Sequence, residues 1–137
     1  NDLESEGELD KAITNAKDHT LKERLVRRIR VRQMVGNGKD VSFPIWCWKL
    51  GPALLLAVPG EPYSQLQQVL RESFPNHPFI VVNHGNGGSG YLSPKEMSLR
   101  KGFYPYWQTP FAPGSFEKLC VDSKNIFRKM TKKEIKK

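Results

Sequence analysis

The sequence predicts an α/β protein: a small mixed sheet, built from a hairpin and a parallel strand-helix-strand crossover, with flanking helices and an N-terminal helical pair. Two observations predict it. Apolar residues recur at helical spacing through the first third of the chain, and past Gly36-Asn37-Gly38 the pattern changes to short β-rich runs separated by turn signals. A chain of 137 residues can bury one respectable core but hardly two. The expected organisation is a charged helical pair at 1–35, one α/β segment at 36–130, and a basic tail at 131–137.

Leu9, Ile13 and Ala16 share one helical face, and Leu21, Leu25, Ile29 and Val31 share another. Asp18-His19-Thr20 separates the two helices, with Thr20 placed to cap the second and Glu23 to complete a capping box. Gly36-Asn37-Gly38 is the stop signal. VSFPIWCW (41–48) is rich in β-formers, and Pro44 points to an edge position. Lys49-Leu50-Gly51-Pro52 then turns the chain into ALLLAV (53–58), whose unbroken apolarity predicts a strand covered on both faces.

Pro62 suits the first turn of a helix that buries Tyr63, Leu66, Val69, Leu70 and Phe74. FIVV (79–82) is a second short buried strand, and strand, helix, strand implies a right-handed parallel crossover. Ser93-Pro94-Lys95-Glu96 opens a short helix, with Ser93 as cap and Glu96 in the capping-box position, and Gly102 closes it. Aromatic residues crowd into FYPYWQTPF (103–111). A last helix after Gly114 uses Phe116, Leu119, Ile126 and Phe127.

The formal net charge of +8 suggests a nucleic-acid partner until it is located. Residues 1–39 carry nine basic and seven acidic side chains, residues 40–123 carry six of each, and residues 124–137 carry seven against one. The excess sits in the tail, so nucleic acid is not the expected partner. Cys47 and Cys120 have no metal-ligand spacing and make no disulfide framework. No apolar run reaches the roughly 18 residues of a membrane helix, and no secretory pattern opens the chain. Asn1 begins the sequence without a methionine inside helical sequence, which suggests a processed product or part of a longer protein.

Glu61 follows a strand and precedes a helix, where an open α/β sheet places its ligands. If the two strands are parallel neighbours, Glu61 and the glycine-rich segment Asn83 to Tyr91 converge at one end of the sheet. Taken alone, Glu61 is the ordinary carboxylate of a helix N-terminus. The run from Gly85 to Gly90 satisfies GxGxxG, but its third glycine opens no helix and no acidic residue follows about 20 positions on. Close backbone approach explains those glycines better than a dinucleotide does. His84, Ser89 and Glu61 sketch a hydrolytic triad without a nucleophile elbow, and His84 reads better as a polar loop residue. Neither His19 nor His77 has a second ligand at useful spacing. The arginines at 24, 27, 28, 30 and 32 offer phosphate binding, with a solvated face beside the acidic stretch from Asp2 to Asp10 as the favoured reading.

Three blocks carry a resemblance: PGEPYS at the end of a strand, NHGNGGSGYLSPKE after the next, and KGFYPYWQTPFAPGSFEKL. Together they resemble the C-terminal part of the catalytic domain of neutral/alkaline ceramidases, a family of zinc-dependent amidohydrolases. The resemblance runs from about residue 9 to 130 and is specific at 58–61, 86–94 and 110–114. It implies Glu61 and Tyr91 as zinc ligands, Asn86 near the substrate, and Phe103 where the family usually has a carbonyl-polarising tyrosine, with Tyr104 adjacent. Phe103 and Tyr104 are therefore substrate-binding candidates. The family's histidine ligands and serine belong to earlier sequence that residues 1–57 do not match. The implied partners are the N-terminal part of the same catalytic domain and a lipid amide; the implied place is secreted, periplasmic or membrane-associated.

Two other classes compete with this reading. An interaction module would use the basic tail and exposed Tyr104, Tyr106 and Trp107 on an acidic partner or, peripherally, a membrane surface. A nucleotide-binding domain would use the loop from Gly85 to Gly90.

Overall fold

The computed structural model describes residues 3–36 and 40–132 of the chain. Of the predicted features, Asn37 and Gly38 of the stop signal and most of the basic tail lie outside the described residues. The fold is mixed α/β, with the expected helical pair, a three-stranded mixed sheet and a separate two-stranded parallel pair.

Helix α1 (Glu6–Asn15) starts at a capping box: Ser5 Oγ accepts from the Glu8 N–H, and the Glu8 carboxylate accepts from the Ser5 N–H at 2.8 Å. Helix α2 (His19–Val35) is capped by Asp18, whose carboxylate accepts from the Leu21 N–H at 2.7 Å. The predicted cap, Thr20, lies instead within the first turn, because the stronger acceptor comes two residues earlier. Leu9 and Leu25 are buried, and α2 packs on α1.

Strand β1 (Trp46–Leu50) begins later than position 41, beyond Pro44, which has no ladder donor. It pairs antiparallel with β2 (Ala53–Ala57) from Trp46↔Ala57 to Leu50↔Ala53, so the turn is only Gly51-Pro52. After a two-residue strand β3 (Glu61–Pro62) comes helix α3 (Gln65–Ser73), then strand β4 (Phe79–Val82), which pairs parallel with β2. The predicted parallel crossover is thus present. Pro62 is in β3 rather than in the first turn of α3. The ladder explains why it is tolerated: Glu61 and Tyr63 on either side donate to Gly90 and Leu92 carbonyls at 2.9 and 3.0 Å, so Pro62 occupies the position whose N–H would point away.

Strand β5 (Tyr91–Leu92) pairs parallel with β3, and three helices follow: α4 (Lys95–Ser98), α5 (Tyr104–Gln108) and α6 (Ser115–Lys132). Ser93 is buried and does not cap α4; the Lys95 N–H is taken by the Glu117 carboxylate of α6 at 2.9 Å. Helix α5 was no part of the sequence expectation, because five residues rich in aromatics and containing Pro105 show no helical period.

Leu66, Leu70 and Phe74 of α3 and its exit meet Phe116, Leu119, Cys120 and Phe127 of α6 over Leu54, Leu56 and Phe79 of the sheet. Phe127 lies edge-on to Phe79 at 4.8 Å. Each such side chain contributes roughly 1.5–3 kcal/mol through burial, so this layer holds the fold together. The opposite sheet face is open. Trp48, Leu55 and Ile80 lie across from one another on it, and Trp48, Ile80 and Val82 are 43, 46 and 39% exposed. The expectation that 53–58 is covered on both faces is corrected here: α3 and α6 lie on one face, while on the second Leu55 sits between exposed Trp48 and Ile80, and only Ala57 is buried, against the loop at Gly85.

Candidate functional site

The β2/β4 ladder does not end at Ala57 and Val82; it is interrupted and then resumes as β3/β5. On the β2 side the interruption takes Val58, Pro59 and Gly60, and on the β4 side it takes the loop from Asn83 to Gly90. The loop is laced back onto those three residues: Gly85 N–H to Val58 O (2.8 Å), Ser89 N–H to Pro59 O (2.8 Å) and His84 N–H to Gly60 O (3.1 Å). Gly85, Gly87 and Gly90 of the loop serve close approach, whereas a Cβ on Gly88 would meet only His84 Nδ1 at 3.9 Å. A Cβ on Gly85 would lie 2.9 Å from the Ala57 Cβ, and one on Gly60 would lie 2.8 Å from Gly90 O. His84 (φ 55) and Asn86 (φ 56) turn the chain through the left-handed region, which asparagine tolerates better than histidine.

Where the ladder resumes, Glu61 is paired with Tyr91. Glu61 is therefore not a helix-start carboxylate: it is a strand residue, four positions before α3. Burial first, and then the negative charge of the Glu61 carboxylate beside it, push the Tyr91 phenol above its ordinary value. On the other side the His84 Nε2 lies 3.2 Å from Glu61 Oε1. Glu61 and His84 are about a third and a half exposed, so this corner opens to solvent.

Tyr104, the first residue of α5, stands edge-on to Tyr91 with ring centroids 6.0 Å apart, and its hydroxyl accepts from the Arg27 guanidinium of α2. Phe103 is exposed and has the Arg100 guanidinium over its ring at 5.6 Å, so Tyr104 rather than Phe103 is the ring against Tyr91. Asn86 is exposed on the loop, the Ser89 N–H donates to Pro59 O, and no hydrogen bond joins the Ser89 hydroxyl to His84 among the described residues.

Three of the five α2 arginines are not part of a solvated face, while Arg30 is exposed as expected. Arg24, Arg27 and Arg28 lie over the rings of Trp107, Tyr104 and Tyr106 at 5.8, 5.5 and 5.6 Å. Arg28 is buried, bonded to Glu4 at 3.2 Å and to the Tyr106 and Thr109 carbonyls at 3.3 Å. Tyr106 and Trp107 are only half-exposed beneath them, which corrects the expectation that these aromatics stand free.

Sequence reasoning placed Glu61, Tyr91 and the segment carrying His84 at one end of the sheet, although it preferred to read His84 as a polar loop residue, and the structure sets its Nε2 against Glu61. It missed Arg27 as the partner of Tyr104, which had no local signal because the two lie 77 positions apart.

For zinc, the donor chemistry fits. A carboxylate and an imidazole are ordinary ligands, and a phenol is a rarer oxygen donor. Glu61, Tyr91 and His84 form an open corner rather than a closed cage, and no group of three or more His, Cys, Asp or Glu that could hold a metal occurs among the described residues. Compared with family models, curated proteins and solved structures, the chain finds no match.

Proposed function

We propose that this chain is the C-terminal part of a ceramidase-like, zinc-dependent amidohydrolase acting on an N-acyl amide such as a sphingolipid, and that it supplies part of the metal site while being inactive alone. One observation carries the reading: Glu61 and Tyr91, 30 positions apart, are direct partners on a resumed parallel ladder with a histidine leaning on the carboxylate. Zinc, when bound, would acidify a water and polarise the amide carbonyl.

The chain's own residues have separable tasks. Glu61 and Tyr91 would hold the ion, which would displace the phenol proton of Tyr91. His84 would orient the carboxylate through Oε1. Tyr104, set by Arg27, would wall the acyl amide where Phe103 cannot donate a hydrogen bond, and Asn86 would face the substrate from the loop. The remaining ligands and the nucleophile would come from the N-terminal part of the same catalytic domain. The uncovered sheet face with Trp48 and Ile80 is consistent with packing against a further layer. Peripheral contact with a membrane would bring in a lipid amide.

Zinc titration by calorimetry tests this. Glu61→Gln and Tyr91→Phe should each weaken binding by at least about tenfold, and Gly88→Ala, which meets only His84 Nδ1 at 3.9 Å, should not. The chain alone should not hydrolyse an N-acyl amide. Binding that survives both substitutions, with circular dichroism unchanged, would sink the assignment.

A further inference from the structure

The same α2 that grips α5 also faces the glycine-rich loop across a cleft of about 420 Å³. Glu23, Arg27 and Arg30 line it from one stripe of the helix, at i, i+4 and i+7; Gly88, Gly90 and Gln108 line it from the other side. Arg30 is exposed and has no hydrogen-bond or ion-pair partner among the described residues. Arg27 spends one nitrogen on Tyr104. Gln108 adds an amide to the lining, and its Nε2 is buried with no hydrogen-bond partner among the described residues. An unpaired buried donor is costly, and a small turn of this side chain toward a ligand oxygen would satisfy it.

The charge count decides the ligand's sign. Two guanidiniums face one carboxylate, and Glu23 lies at one end of the stripe, so the region between Arg27 and Arg30 is positive. Guanidinium forks match the planar or tetrahedral oxygens of carboxylate and phosphate. Apolar Val31 and Met34 continue the lining beyond Arg30. Among the five α2 arginines, Arg24, Arg27 and Arg28 are engaged by α5, and Arg30 is turned to this cleft without a mate.

We propose that the cleft between α2 and the glycine-rich loop is an oxyanion-binding site, in which Arg27 and Arg30 take a carboxylate or phosphate group. The site is independent of the metal reading, because none of Glu61, Tyr91 or His84 lines the cleft.

The test is calorimetric titration of the chain, in chelator and at fixed ionic strength, with inorganic phosphate and separately with octanoate. Arg30 is the variant of choice, since nothing in the fold leans on it. Arg30→Gln should weaken binding of whichever probe binds by about tenfold, and Gln108→Leu should weaken it as well. Saturable binding of phosphate identifies a free anion as occupant; binding of octanoate well above acetate identifies an amphiphile whose tail runs along Val31 and Met34. Absence of saturable binding by both probes at millimolar concentration overturns the proposal, as does binding that Arg30→Gln leaves unchanged. Chelator removes metal from the experiment, so failure here leaves the zinc reading standing, and the reverse holds too.

Discussion

Gly90→Ala should be the most damaging small substitution near the candidate site. Gly90 has φ +81, and a Cβ built on it falls far inside contact distance of the Gln108 carbonyl oxygen and 3.2 Å from Pro110 Cδ. The left-handed backbone costs an L residue about 1–2 kcal/mol, and forcing the overlap adds about 1–3 kcal/mol. The expected loss is therefore about 2–5 kcal/mol, a large share of the stability of a domain this size. It also reaches the site, because Gly90 O accepts from the Glu61 N–H at 2.9 Å and Gly90 precedes Tyr91. Urea unfolding followed by tryptophan fluorescence measures the loss. Gly88→Ala, two residues away and open to space, is the internal control and should stay within about 0.5 kcal/mol. Equal, small effects at both positions would refute the claim that close approach, rather than flexibility, selects these glycines.

Ser123 is fully buried on α6 with its hydroxyl unpaired, so Ser123→Ala should stabilise the fold by about 1 kcal/mol and raise the thermal midpoint; a lower midpoint would reveal an unseen partner for the hydroxyl. Burial pushes the Cys47 thiol from 9.0 to about 11, so at pH 8 it holds about a hundredfold less thiolate than an ordinary thiol. A more basic thiolate is also more nucleophilic, by about tenfold over that interval, which leaves Cys47 about tenfold slower toward disulfide reagents. Its rate should still be climbing at pH 10, and a plateau near pH 9 would contradict the burial argument. The same shift lowers stability as pH rises from 9 toward 11, where only the unfolded chain ionises.

Elements with a strong period were legible in the sequence. Leu66, Leu70 and Phe74 face one way on α3, and FIVV and ALLLAV have the apolarity of paired strands, although the expectation that FIVV is buried fails at Ile80 and Val82, which are exposed. Boundaries moved where a single backbone donor decided them: Pro44 delayed β1, and Pro62 proved compatible with a strand because its missing N–H fell on the outward side of a parallel ladder. Apolarity of ALLLAV could not tell covered from coverable. Leu54 and Leu56 meet α3 and α6, whereas Leu55 shares its face with exposed Trp48 and Ile80. Arginine-aromatic stacking between α2 and α5 was invisible, because cation–π pairs carry no periodic mark and these span 77 to 83 positions.

The candidate site shows the same division between what local pattern encodes and what pairing adds. Glu61 read alone is a helix-start carboxylate, a role worth a fraction of a kcal/mol. Its role changes because the ladder resumes after the loop, and resumption depends on glycine at both sides of the join: Gly60 before β3, where a Cβ would meet the Gly90 carbonyl, and Gly90 before β5, where a Cβ would meet the Gln108 carbonyl and Pro110. Those two glycines set the register, the register puts Tyr91 opposite Glu61, and the left-handed turn at His84 returns an imidazole to the same carboxylate. The chemistry at this corner is thus a consequence of backbone packing on the far side of the loop. Substitutions at Gly60 or Gly90 should disturb the donors as surely as replacing the donors themselves.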